Sequence, residues 1–249
     1  MRLSRFFIDD TLASGQVLSL PAHLVNYLVN VLRLKQNSPI ILFNGQTNSQ
    51  PLGEFNATIV ELSKRHCRVL IGEFVAVNNE SPINTHLFQG ISRGERMDYT
   101  IQKAVELGVN RITPVSTQYS NSRKLNNKQL QKKILHWQGV ASSACEQSGR
   151  VAQVEVSPPI TVHDMAKHIA DFNLLLSPIG ENTLSQLNLA SNNSVNIFIG
   201  PEGGLSTEEI RLAQEYGYLD VTLGSRILRT ETAGLAILSI LQFLWGDLC

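Results

Sequence analysis

The chain is poor in several features that mark large classes of protein. Its 249 residues hold only three cysteines, Cys67, Cys145 and Cys249. They stand too far apart for a CxxC zinc spacing, and three cannot all pair within one chain. A disulfide-built scaffold is excluded, and a reducing cytosol is the expected home. Charged residues make up 17%, aromatic residues 6% and hydrophobic residues 43%, a globular composition rather than a disordered or fibrous one. The longest apolar stretch, Gly234 to Trp245, is interrupted by Ser239 and Gln242 and falls short of the roughly 20 residues a membrane-spanning helix requires. Near the N-terminus Arg2 and Arg5 are followed by Asp9 and Asp10, with no apolar signal-peptide core. Membrane partners are therefore not expected. The dinucleotide-binding GxGxxG, the phosphate-binding P-loop, the serine-hydrolase GxSxG and the zincin HExxH are all missing. His163 and His168 are five residues apart and do not share a helix face, so no metal site is expected.

Net charge is zero, with 21 basic and 21 acidic residues, and this global balance argues against a nucleic-acid partner. The distribution points the other way. Between Arg93 and Arg150 stand ten basic residues, among them Arg96, Arg123, Lys124 and Lys128, against four acids. A local positive field can coexist with a neutral whole, although solvated helix faces give the same pattern.

The chain changes rhythm along its length. Gln16–Leu20, Ile40–Phe43, Phe55–Val60 and Cys67–Ile71 are short β-rich runs separated by turn residues such as Asn44-Gly45. Leu24, Tyr27, Leu28, Val31 and Leu32 recur at helical spacing after Pro21. A small, mostly antiparallel barrel or sandwich fits residues 1–74, followed by a polar, Pro-containing linker at 75–84. In residues 85–249 apolar strands alternate with helices. The strands are expected at His86–Ile91, Arg111–Val115, Asn173–Leu176, Asn196–Ile199 and Asp220–Leu223. The helices are expected at Met97–Leu107, Lys128–Gln147, Val162–Ala170, Thr207–Tyr216 and Thr232–Trp245. Ser206 with Glu209 forms a capping box, and Gly108 is a helix stop. This alternation predicts an α/β domain with a mostly parallel sheet.

Two turns carry candidate chemistry. Ile197-Phe198-Ile199 runs into Gly200-Pro201-Glu202-Gly203-Gly204, and Leu223-Gly224-Ser225-Arg226-Ile227-Leu228-Arg229 leads into Thr230-Glu231-Thr232-Ala233. Glycines permit close backbone approach, and ligands in open α/β sheets sit at the carboxyl ends of strands. Together the turns suit a nucleotide-like pocket, with Glu202 and Glu231 as polar anchors and Arg226 and Arg229 facing an anionic partner. Tight ligand-free turns and helix capping remain open for the same residues. Ser92-Arg93-Gly94-Glu95-Arg96-Met97-Asp98 and Cys145-Glu146-Gln147-Ser148-Gly149-Arg150 place arginines beside turns, where phosphate contacts or salt bridges to Glu95, Asp98 and Glu146 both fit.

Taken in order, these motifs resemble the RsmE family of bacterial ribosomal RNA methyltransferases, in the SPOUT superfamily. The likeness covers nearly the whole chain, from Arg2–Phe6 and His23 with Val31-Leu32-Arg33-Leu34 to Leu223–Ala233. It implies an N-terminal PUA-like β-barrel that binds RNA and a C-terminal SPOUT α/β domain with a deep trefoil knot. It further implies a cytoplasmic homodimer that methylates N3 of one uridine in 16S ribosomal RNA of the small subunit, using S-adenosylmethionine.

By this resemblance the cofactor lies among three loops, contributed by Leu176 and Ser177; by Ile199, Gly200, Pro201, Glu202 and Gly203; and by Leu223, Gly224, Ile227, Leu228, Thr232 and Ala233. Arg229 is expected to stabilise charge on the uracil, and Glu231 is the other catalytic candidate, with N-capping and cofactor contact as competing roles. Arg2, Arg5, Arg33, Arg93, Arg96, Arg123, Arg150 and Arg226 are expected to meet RNA. Two departures stand out. After Ile112-Thr113-Pro114 the family places Ser-Glu-Arg, where this chain has Thr117-Gln118-Tyr119, so Arg123 or Lys124 would have to supply the charge. Leu176-Ser177-Pro178-Ile179 also lacks a basic residue common there. The rivals are another SPOUT methyltransferase, acting on a different base atom or a ribose hydroxyl, and a non-catalytic ribosome-assembly factor. A small-molecule α/β enzyme explains the C-terminal half alone.

Overall fold

The structure is a computed structural model that describes residues 3–45, 52–120, 126–187, 190 and 192–248. Arg2, Arg123, Lys124 and Cys249 lie outside the described residues. The chain forms two compact units: Met1–Glu80 with Cys145–Gln153, and Ser81–Ala144 with Val154–Cys249.

In the first unit, strands β1 (Arg5–Phe7), β2 (Val17–Ser19), β3 (Pro39–Phe43), β4 (Gly53–Leu62) and β5 (Cys67–Ala76) accompany helix α1 (Ala22–Asn30). Burial alternates along β4 and β5, with Phe55, Ala57 and Ile59 facing inward beside Cys67, Val69 and Ile71, as a sheet with one core face requires. Leu24, Val25 and Leu28 of α1 complete that core. The strand order is β1-β3-β4-β5-β2, with β1 parallel to β3 and the other pairs antiparallel. No ladder among the described residues joins β1 to β2, both of which are three residues long. The expected barrel is therefore observed as an open mixed sheet.

Residues 145–153 are fastened to this unit by charge. Arg5 pairs with Glu54 and donates to the Arg150 carbonyl at 2.9 Å, while Arg150 Nε donates to Glu80 Oε2 at 3.0 Å. Glu146 Oε1 accepts from the Phe7 N–H at 3.0 Å. Burial pushes the Glu146 carboxyl above its usual pKa, against the lowering effects of the Phe7 hydrogen bond and Arg5.

The second unit contains β6 (Asn84–Gly90), α2 (Glu95–Glu106), β7 (Arg111–Ser116), most of α3 (Asn127–Ser148), β8 (Glu155–Val156), β9 (Ile160–Thr161), β10 (Phe172–Leu176), β11 (Ser194–Ile199), α4 (Thr207–Glu215), β12 (Leu219–Val221) and α5 (Thr230–Trp245). Its seven-stranded parallel sheet runs β12-β10-β11-β6-β7-β8, with β9 beside β7. Central strands such as β11 are buried almost continuously, because helices cover a parallel sheet. The Ser206–Glu209 capping box starts α4 as expected. Helix α2 ends in a Schellman turn: Gly108 has φ +82°, its N–H reaches the Val105 carbonyl, and Val109 N–H reaches Ala104.

Two expectations change. Val162–Ala170 forms only a 3₁₀ turn over Val162–Lys167. There the His168 carbonyl accepts from Asn196 Nδ2, and the Ala170 N–H donates to Asn173 Oδ1, so side chains claim backbone groups that a continuing helix would pair internally. β12 spans Leu219–Val221 rather than Asp220–Leu223, with Asn182 bridged to its other edge through the Thr222 N–H at 2.9 Å. No helix among the described residues is long and apolar enough to cross a membrane.

Candidate active site

Strand order reverses direction where β6 meets β11, and such a switch point leaves a crevice outside the carboxyl ends of the strands. A cavity of about 720 Å³ opens at the carboxyl ends of β10, β11 and β12. Its wall includes Leu176 and Ser177 after β10; Ile199, Gly200, Pro201 and Glu202 after β11; and Leu223, Ile227, Leu228 and Ala233 beyond β12. Arg226, Arg229 and Glu231 line it too. The structure thus brings the three anticipated loops together.

Three anticipated residues support the loops without lining the cavity. Gly203 packs so closely that a Cβ there would stand 2.8 Å from Tyr119 Cβ. Gly224 has φ +82° and shapes its turn. Thr232 is exposed in the first turn of α5. Pro178, Ile179 and Thr230, which belong to the expected loops, line the cavity as well, and so do Arg96 and Thr222, which were not expected there. Ile179 and Ile227 are more than four-fifths exposed, so two large apolar side chains stand in solvent on this wall.

The polar groups form one cluster. Glu202 Oε1 accepts from the Arg93 N–H at 3.0 Å and from Arg96 Nη1 at 3.1 Å. Burial pulls its pKa upward, but hydrogen bonds from the Arg93 and its own backbone N–H groups and from Arg96 outweigh this, leaving the carboxyl below its usual value. Arg96 Nε also lies 3.9 Å from Glu231 Oε1. Glu231 Oε2 is buried and has no hydrogen-bond partner among the described residues, a costly state unless a ligand supplies one. Thr230 Oγ1 donates to the Gly200 carbonyl at 2.6 Å, joining α5 to the β11 loop.

The arginines expected at RNA separate into two groups. Arg33, Arg93, Arg96 and Arg226 are exposed, as is Arg229, the arginine expected to act on the uracil. Arg5 and Arg150 are not, since each side chain is 7% exposed and paired with a carboxylate, Glu54 and Glu80 respectively. In the structure the guanidinia of these two are buried against carboxylates of the first unit rather than standing exposed like the others.

Residues 79–242 match the RNA methyltransferase domain family. The chain belongs to that family. The ribosomal RNA small subunit methyltransferase E of Buchnera aphidicola subsp. Schizaphis graminum is 36% identical, covering 99% of this chain and 98% of its own length. A protein of Legionella pneumophila, solved with bound SAM, superposes with a TM-score of 0.93 at 37% identity, covering 100% of both chains. The ribosomal RNA small subunit methyltransferase E of Neisseria gonorrhoeae, solved with S-adenosylmethionine, gives 0.88 at 37% identity and the same coverage. In this RNA methyltransferase, the cavity lies within the stretch that the family match spans.

Proposed function

We propose that this chain transfers the methyl group of S-adenosylmethionine to N3 of a specific uridine in 16S ribosomal RNA of the small ribosomal subunit, acting as a cytoplasmic homodimer. The observation that carries this reading is the cavity at the carboxyl ends of β10, β11 and β12, walled in part by Glu231, whose Oε2 has no hydrogen-bond partner among the described residues. The residues fit the cofactor. Leu176, Ile199, Ile227 and Leu228 offer apolar surface to an adenine ring, and Glu202 and Glu231 offer carboxylates to a molecule bearing sulfonium and ammonium charge. When bound, S-adenosylmethionine supplies an already activated methyl group.

The chain's own task is then placement and proton handling. Holding the uracil in line with the methyl group and excluding water is worth about 7–11 kcal/mol. Uracil N3 carries a proton that must leave. Glu231 Oε2 is suited to take it, because Glu202 Oε1 is already engaged by Arg93 and Arg96. Arg229, exposed beside the cavity, stabilises negative charge developing on O2 and O4. Arg33, Arg93, Arg96 and Arg226 hold RNA phosphates. Arg33 keeps a left-handed φ of 53°, and such backbone conformations in non-glycine residues concentrate at functional sites.

The first unit serves as the PUA-like RNA module, and the second carries the trefoil knot. The functional division is 1–74, 75–84 and 85–249, with Cys145–Gln153 packed into the first unit. Tyr99 on α2 and Phe243 and Leu244 on α5 are exposed apolar side chains on two helices that pack together, a surface suited to a second copy.

The test is incubation with methyl-labelled S-adenosylmethionine and small subunits lacking the modification, followed by nucleoside mass spectrometry. N3-methyluridine at one position is expected. Label on another atom or on ribose assigns a different methyltransferase, and absence of label despite cofactor and RNA binding assigns a non-catalytic assembly role. Arg229→Ala should lower the methylation rate far more than cofactor affinity.

A further inference from the structure

Gln89, the penultimate residue of β6, is fully buried in an otherwise apolar strand end. Its Nε2 lies 2.8 Å from Thr230 Oγ1 and 3.1 Å from the Gly90 carbonyl. Thr230 Oγ1 in turn lies 2.6 Å from the Gly200 carbonyl. Proton direction along this chain is fixed by chemistry. A carbonyl cannot donate, so Thr230 donates to Gly200; its oxygen then accepts, and only the amide nitrogen of Gln89 can donate to it. Gln89 Oε1 is left buried with no partner among the described residues, so both satisfied contacts use the donor end of the side chain.

The Gly200–Pro201 peptide has no N–H, because proline lacks one. The Gly200 carbonyl is therefore the only hydrogen-bonding handle on that peptide. Both residues line the cavity. They also press on the end of β6, since a Cβ at Gly90 would stand 2.5 Å from Pro201 N and 2.8 Å from Gly200 C. Thr230, the first residue of α5, follows an N-cap residue, Arg229, that makes no side-chain cap bond, and its hydroxyl is engaged in this link.

We propose that Gln89 and Thr230 are positioning residues that set the orientation of the Gly200–Pro201 peptide in the cofactor wall through a directed relay, Gln89 to Thr230 to Gly200. The inference rests on the reading of the cavity as the S-adenosylmethionine site. Removing the Thr230 hydroxyl frees the peptide: the Gly200 carbonyl loses its donor, and the Gln89 amide keeps only its bond to the Gly90 carbonyl. Converting Gln89 to an ionised carboxylate draws the Thr230 proton away from Gly200.

The experiment measures S-adenosylmethionine affinity by calorimetry, thermal stability, and the KM for cofactor and for small subunits with kcat, for the full chain and its variants. Thr230→Val should weaken cofactor binding about tenfold. Thr230→Ser, which keeps the hydroxyl, should restore it to within about twofold. Gln89→Leu should weaken it several-fold and Gln89→Glu more. In each case the KM for cofactor should rise while the KM for RNA holds. Wild-type affinity in both Thr230→Val and Gln89→Leu overturns the relay. Equal rises in both KM values, tracking a fall in melting temperature, also overturn it, because that is the signature of a role in folding alone. If Thr230→Val does not fold, the Gln89→Leu and Gln89→Glu pair decides the question. Failure of the wild-type chain to bind S-adenosylmethionine is a separate result: it overturns the reading of the cavity itself.

Discussion

Arg96 Nη1 donates to Glu202 Oε1 at 3.1 Å while its Nε stands 3.9 Å from Glu231 Oε1, so one guanidinium faces two carboxylates on a single cavity wall. Without it, two like charges would face each other with no counter-ion between them, and the β11 loop would lose its side-chain link to the start of α2. Arg96 therefore joins the β11 loop to the first turn of α2, and its side chain is half-exposed there.

The pair makes a prediction about acid. The Glu202 carboxyl titrates below its usual value in the folded protein, so its stabilising contribution is complete above the ordinary carboxylate pKa. That contribution is lost as pH falls through the lowered one. Both partners are substantially solvated, so the effect is small, about 0.2–1 kcal/mol. Glu202→Gln should melt slightly below wild type at pH 7, and the difference should begin to shrink below the ordinary carboxylate pKa and vanish only once pH is below the lowered one. Melting curves of both proteins from pH 3 to 7 test this; a gap that stays constant across the range would show that charge at Glu202 contributes nothing.

Much of this organisation is legible in the sequence, for physical reasons. β3 announces itself as a continuous apolar run, β4 and β5 through alternation, and the loops after β10 and β11 through buried strands ending at Ser177-Pro178 and Gly200-Pro201. β1, β8 and β9 are two or three residues long and carry no pattern of their own. The helix expected over Val162–Ala170 fails because Asn173 and Asn196, distant in sequence from its start, take the backbone groups at its end. Arg5 and Arg150 look like RNA contacts until Glu54 and Glu80 are brought beside them, 49 and 70 residues away. Gln89 is a single polar residue in an apolar run, and nothing local distinguishes it.

His86 gives a second pH prediction. Its ring packs 4.0 Å from the Phe88 ring and its Nε2 pairs with Thr113 Oγ1 at 2.8 Å. Burial first, then the charges of Arg111 and His168, lower its pKa to about 3. A histidine neutral when folded and protonated when unfolded costs stability below its unfolded pKa near 6.5. Stability should fall by about 1.4 kcal/mol per pH unit from pH 6 toward 4 on this account. His86→Gln should flatten that slope, whatever it does to stability at pH 8. Denaturant titrations at pH 5 and 8 measure it, and an unchanged slope would assign the acid sensitivity to other groups.

The two classes of arginine should separate in experiment. Arg150→Ala leaves Glu80 buried without its partner and should cost about 3–5 kcal/mol of stability. Replacing both by methionine should recover most of that loss, because desolvating the ion pair is itself expensive. Arg226→Ala should leave stability nearly unchanged but weaken RNA binding, reducing the slope of log affinity against log salt by about 0.7 if one phosphate contact to single-stranded RNA is lost. Unfolding and salt-titrated RNA binding on the same variants distinguish the two. A salt slope unaltered in Arg226→Ala would remove that residue from the RNA surface.

A close steric constraint lies at Gly90. A Cβ there would stand 2.5 Å from Pro201 N, 2.6 Å from Pro201 Cδ and 2.8 Å from Gly200 C, and none of these atoms can rotate away. Gly90→Ala must separate the end of β6 from the Gly200–Pro201 peptide, which displaces the cofactor wall. Overpacking of this kind costs about 1–3 kcal/mol, and cofactor affinity should fall more than tenfold even where the chain still folds. Gly139 on α3 is the contrasting case: a Cβ meets nothing within 4 Å. Gly139→Ala should stabilise the helix by about 0.5–1 kcal/mol and leave cofactor binding untouched. If Gly90→Ala instead binds S-adenosylmethionine as wild type does, the β6 end and the loop can part without consequence, and the close approach has no bearing on the site.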